Sequence, residues 1–194
     1  MDLVNRVKQI LVSPKTEWPT IDGENDSHVA VLTKYVLLLA AIPSVAAFIG
    51  YGLIGYSVFG HHFSSASLGI KQAITQYITM VGGVYITAFV IDILATNFGS
   101  QKNFDKAFSL VAYAYTPAFV GGIFYIWHPL SFLAGLASIY SLYLLYIGLA
   151  PMMKTPNEKR TSYFVVSLLV MVAAFFILSM VLAAILIGSA YRAF

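Results

Sequence analysis

From Ala107 to Ala150 the chain carries two apolar runs of 21 residues, separated only by His128–Pro129. Neither run contains a lysine, arginine, aspartate or glutamate. At about 1.5 Å per helical residue, each is long enough to cross the roughly 30 Å hydrocarbon core of a bilayer. Charges resume on both sides, with Lys102, Asp105 and Lys106 before the pair and Lys154, Glu158, Lys159 and Arg160 after it. Pro129 lacks the N–H that a continuing helix would need. The pattern predicts a transmembrane helical hairpin with both open ends on one side of the membrane.

The rest of the 194-residue chain points to the same solvent. Only 10% of its residues are charged and 59% are hydrophobic, whereas a soluble domain carries about 25% charged residues. So few charges cannot cover a water-facing surface. The absence of cysteine excludes disulfides and thiol catalysis. A net charge of +3, with no basic run interleaved with aromatics, gives no reason to expect nucleic acid as a partner.

The expected fold is all-α: a polytopic membrane bundle of five transmembrane helices with a short N-terminal amphipathic helix. Residues 1–31 read as a cytoplasmic segment, 32–187 as the five-span domain and 188–194 as a short external tail. In the first segment Leu3, Val4, Val7, Ile10 and Leu11 share one helical face, and Asp2, Asn5, Arg6, Lys8 and Gln9 the other. Such a helix lies in the lipid interface or docks on the protein's own cytoplasmic face. Residues 15–28 are polar and acidic and read as a loop segment, with Trp18 as an interface anchor. The spans are Leu32–Tyr56, Ile74–Thr96, the two arms of the hairpin, and Tyr163–Ile187. The last is the most uniformly aliphatic and is expected at the lipid-facing periphery. Residues 57–71 read as an external loop. With the N-terminus inside, nine lysines and arginines fall on the cytoplasmic side and two, Lys71 and Arg192, on the other. That asymmetry predicts N-in, C-out.

Few residues stand out chemically. With Lys34 at the entry of the first span, Asp92 is the one Asp, Glu, Lys or Arg further inside a span, and an intramembrane carboxylate is a functional candidate by default. It lies one turn from the inner loop, where Lys102 or Lys106 could pair with it. Pro43 should kink the first span, and the carbonyl it frees needs a partner in the bundle. In the third span, Tyr113-Ala-Tyr115-Thr-Pro117 combines a helix breaker with hydroxyls that can meet freed carbonyls or face a cavity. Ala134 with Ser138, and Ala137 with Ser141, place small residues four apart, as close helix packing requires. Tyr125 and Tyr163, near span ends, suit an aromatic belt. His61, His62 and His128 lack neighbouring acids, and no metal site, cofactor or catalytic residue is expected.

Several stretches resemble the Yip family, integral membrane proteins named for interaction with Ypt/Rab GTPases, in its bacterial inner-membrane branch. These are SPKTEWPTIDGEN, HVAVLTKYVLLLAAIPSVAAFIG, AYTPAF and YSLYLLYIGLAPMMKTPNEKR. The similarity covers nearly the whole chain and implies five spans with a cytoplasmic N-terminus in the bacterial inner membrane. Eukaryotic members carry a Tyr-Gly-Pro type motif in a span. Tyr115 and Pro117 are its nearest match here, with Thr116 in place of the glycine.

The resemblance implies a fold and a location rather than an activity. The function expected is therefore non-enzymatic: protein interaction or membrane organisation, with the lipid bilayer and a membrane-protein partner or a second copy as the contacts. The alternative is a small channel or transporter with a polar path near Asp92 and the tyrosines of spans three and four. A lipid-modifying enzyme would need a cluster of acids or histidines at one interface, which the sequence lacks.

Overall fold

A computed structural model describes residues 2–58 and 61–191, except the side chains of 58, 175 and 177–191. Two short helices, α1 (Leu3–Val12) and α2 (Pro14–Glu24), precede four long ones. These are α3 (His28–Ile54), α4 (Ala66–Phe98), α5 (Phe104–Ile126) and α6 (His128–Met153), each long and apolar enough to cross a membrane. Between α3 and α4 a small antiparallel hairpin pairs β1 (Tyr56–Val58) with β2 (His61–Phe63). Helix α7 (Asn157–Tyr191) has 35 residues. It contains the expected fifth span, most of whose outer half has side chains outside the described residues. It also runs through the first residues of the expected tail, of which 192–194 lie outside the described residues.

Helix α5 is the axis of the bundle. Of its most apolar stretch 78% is buried, against 44% or less in the other three, and α3, α4 and α6 all pack on it. Helix α7 sits outside them against α4 and α6. It buries Tyr163, Ser167 and Met171, one residue per turn, and turns Val165, Leu169 and Val172 outward. Tyr163 is fully buried and stacks on Phe98, with ring centroids 4.9 Å apart. It is a packing residue, not a member of an aromatic belt.

Local chemistry moves several expected boundaries. The Ser65 hydroxyl caps α4 by accepting from the Leu68 N–H at 3.2 Å, so the second long helix starts at Ala66 rather than Ile74. The expected loop 57–71 is thus half hairpin and half helix. Gly55, at φ +77°, makes the reversal into β1, a backbone conformation that L side chains rarely adopt. Pro43 lies inside the α-helical part of α3, between π-helical turns at Leu32–Val36 and Phe48–Ile54. It rests on Gly122 of α5, where an added Cβ would come within 3.0 Å of the Pro43 Cα.

The stretch 15–28 is mostly helix rather than loop. Pro14 occupies the first turn of α2, where its missing N–H costs nothing. Asn25 ends the helix in the left-handed conformation, at φ 49°. Trp18 corrects the expectation of an interface anchor, because it is only 1% exposed. Its ring fills the space left by Gly148 of α6, where a Cβ would lie 2.8 Å from the Trp18 Cε2. Helix α1 is held on the same surface, with the Tyr140 hydroxyl donating to the Leu11 carbonyl at 2.8 Å.

Candidate functional site at the break in helix α5

Pro117 cannot donate to the Tyr113 carbonyl four residues earlier. The Thr116 hydroxyl donates to that carbonyl instead, at 2.6 Å. Thr116 has one proton, so in its 2.7 Å contact with the Tyr35 hydroxyl it is the tyrosine that donates. The break also leaves the Ala118 N–H without an intrahelical partner, and Ser141 of α6 accepts it at 3.2 Å. On the α4 side, the Tyr115 and Thr87 hydroxyls are 3.0 Å apart. All three neighbours of α5 therefore reach the break. Of the expected site residues, Tyr113, Tyr115 and Pro117 come together here, and Pro43 contacts the same helix further along.

Next to this hub, at the end of the bundle that carries α1 and α2, lies a cavity of about 340 Å³. Its wall includes Arg6, Glu24, Asp26, Lys34, Tyr35 and Tyr113. Arg6 was expected on a polar helix face, yet it is 4% exposed. The reason is α2, whose Glu17 and Glu24 stand seven residues apart, on one helical face. Both pair with the Arg6 guanidinium, which also lies over the Tyr113 ring, 5.4 Å from its centroid. Burial works against the Arg6 charge, but the hydrogen bond and charge of Glu24, with Glu17 behind, raise its pKa above the ordinary value.

A second polar cluster fastens α2 to the bundle. Lys106 at the start of α5 lies 2.9 Å from Asp22 Oδ1, and Lys154 after α6 pairs with Oδ2. Burial raises the Asp22 pKa, but the two lysines outweigh it and hold the carboxyl below its ordinary 3.8. A depressed carboxylate pKa contributes stability that is complete above pH 3.8 and is lost as pH falls through the lower folded value. Acid release of α2 is therefore expected to begin below about pH 3.8 and to follow Trp18 fluorescence in a Trp127→Phe background. Asp22→Asn should abolish that acid step and weaken docking by about 1 kcal/mol at neutral pH.

Asp92 does not pair with Lys106, which is taken by Asp22. The residue is 7% exposed, and its buried Oδ1 has no hydrogen-bond partner among the described residues. It does not line the polar cavity. Asp92→Asn removes a buried charge without orphaning a partner, so its stability is expected to stay within about 1 kcal/mol of wild type in a thermal melt. A loss of more than about 2 kcal/mol would reveal a partner on which the carboxylate depends.

Arg6, Glu17 and Glu24 were missed from the sequence because their pairing needs the turn between α1 and α2. The legible signal was the Glu17/Glu24 spacing, once residues 14–24 are read as a helix. At the other end of the bundle, His128 lies against the rings of Tyr51 and Tyr56, at 6.0 and 5.7 Å. No group of three potential metal ligands occurs among the described residues.

Long apolar helices around a broken, hydroxyl-lined central helix define a helical membrane protein, and this chain belongs to the Yip1-domain family. That domain matches residues 8–191. The chain is similar to inner membrane protein YohC of Escherichia coli strain K12 and of Escherichia coli O6:H1 strain CFT073. It is 31% identical to each over 187 residues, which cover 93% of this chain and 95% of each relative. No solved structure gives a significant match.

Proposed function

We propose that this protein is a non-enzymatic component of the bacterial inner membrane that binds other membrane proteins or organises the membrane around it. One observation carries the reading: the hydroxyls of Thr116, Tyr35, Tyr115, Thr87 and Ser141 at the break in α5 are taken up by internal hydrogen bonds. Thr116 and Tyr35, Tyr115 and Thr87, and Ser141 with the Ala118 N–H satisfy one another. Polar groups that pair internally rigidify a scaffold. A conducting path would need them turned toward water. Asp92, off the cavity wall, supports the same choice over a channel.

The proposed topology has α7 as a fifth span, the N-terminus in the cytoplasm and the C-terminus in the periplasm, as the basic-residue asymmetry favours. Alkaline phosphatase fused after Phe194 should be active. An inactive fusion with an active cytoplasmic reporter at the same point would reverse the orientation. Photo-cross-linkers at the exposed Leu136, Ile139 and Val165 should give discrete protein adducts in native membranes. Ion flux in proteoliposomes without such adducts would overturn the reading in favour of a channel.

A further inference from the structure

The geometry points to the cavity beside α3 as a binding site for the zwitterionic headgroup of an aminophospholipid, with the acyl chains laid along α3. Once the internal pairs are assigned, three groups on the cavity wall have no ion-pair or hydrogen-bond partner through their side chains among the described residues. These are the Asp26 carboxylate, the Lys34 ammonium and the Tyr113 hydroxyl. Tyr113 is the most telling, because the residue is only 6% exposed. Its ring is packed away while the residue lines the cavity, so a ligand or water held there can meet the hydroxyl.

Charge selects the headgroup. Arg6 and Lys34 contribute two positive charges to the wall, and Glu24 and Asp26 two negative ones. Arg6 is matched by Glu24 on the wall and again by Glu17 behind it, a surplus of negative charge that favours an occupant bringing an ammonium. What is left is one cation, one anion and one hydroxyl, the complement of a phosphate carrying an amine. Lys34 and Tyr113 suit the phosphate and Asp26 the ammonium. A headgroup that is only anionic would set its phosphate against Asp26 with no amine to offset the repulsion.

The surface below the cavity selects an amphiphile over a free zwitterion. One turn along α3 from Lys34 is the exposed Leu38, followed on the same stripe by the exposed Val45. Two apolar grooves, of about 350 and 310 Å³, share Ala41 and Val45 as walls. A polar cavity thus opens onto an apolar track on one helix. Lys34 is placed to lay its stem on that track and lift its charge to the headgroup.

The test uses the full-length protein in detergent micelles, titrated separately with dioleoyl-phosphatidylethanolamine, dioleoyl-phosphatidylglycerol and soluble phosphoethanolamine. Thermal unfolding and native mass spectrometry are the readouts. The ethanolamine lipid should stabilise saturably, at about tenfold lower concentration than the glycerol lipid. Tyr113→Phe should weaken that half-saturation about three- to tenfold, and Asp26→Asn about two- to fivefold. Val172→Ala, on the outward face of α7, should leave it unchanged. Equal stabilisation by both lipids would overturn the proposal, as would wild-type titrations from both Tyr113→Phe and Asp26→Asn. Phosphoethanolamine acting as strongly as the lipid would overturn the assignment of a lipid as occupant.

Discussion

Gly69→Ala is expected to cost about 3 kcal/mol or more, among the largest losses from any single methyl group in this protein. Helices α3 and α4 meet at Gly52 and Gly69. A Cβ built on Gly69 would stand 2.6 Å from the Gly52 Cα and 2.9 Å from both the Gly52 N and the Phe48 carbonyl oxygen. All three are backbone atoms. No rotamer change can relieve the clash, so the helices must separate and lose dispersion contacts along their shared length. In a membrane such contacts matter more, because lipid competes for apolar surface on equal terms. Gly82→Ala is the control on the same helix. Nothing lies within 4 Å of its Cβ, and better helix propensity should make it neutral or stabilising by up to about 1 kcal/mol. Thermal unfolding in detergent decides the matter, and a Gly69→Ala melt that overlays wild type would refute the close crossing.

Arg6→Met should cost about 3 kcal/mol. It leaves Glu17 buried and Glu24 half-buried without their cation. Breaking a buried pair from one side typically costs 3–5 kcal/mol, and the cavity of about 340 Å³ alongside, which gives water access, argues for the lower end. Adding Glu17→Gln to Arg6→Met should recover part of the loss, since the orphaned charge is then gone. Trp18 fluorescence, read with Trp127 replaced by Phe, would show whether α2 undocks. Equal stability of Arg6→Met and wild type would mean that Trp18 in the Gly148 slot, the Asp22 lysine pairs and the Tyr140–Leu11 hydrogen bond hold the N-terminal helices without Arg6.

The hairpin was legible in the sequence because a bilayer accepts only long apolar stretches whose backbone polar groups are satisfied internally. The partners of Thr116 were half legible. The need for a donor at the Tyr113 carbonyl follows from Pro117, but Tyr35 and Ser141 could not be named without knowing which helices adjoin. Trp18 was misplaced for a related reason. An amphipathic ring near a span suits an interface, and only Gly148, 130 positions away in the sequence, reveals the slot it fills. Arg6 was placed on the polar face of its helix with Asp2, Asn5, Lys8 and Gln9, and only the fold shows that two carboxylates on one face of α2 come to meet it.

The sequence by itself determined the solvent, the long helices and the break in α5. Each depends on the composition of a stretch or on one residue's missing N–H, and neither changes with what packs nearby. Only the tertiary structure decided which charges are paired and which are left open. Asp22 finds Lys154 across 132 positions, and His28 finds Asp105 across 77. A charge takes its partner from the folded neighbourhood, because electrostatic attraction depends on distance in space and the environment between, not on separation along the chain.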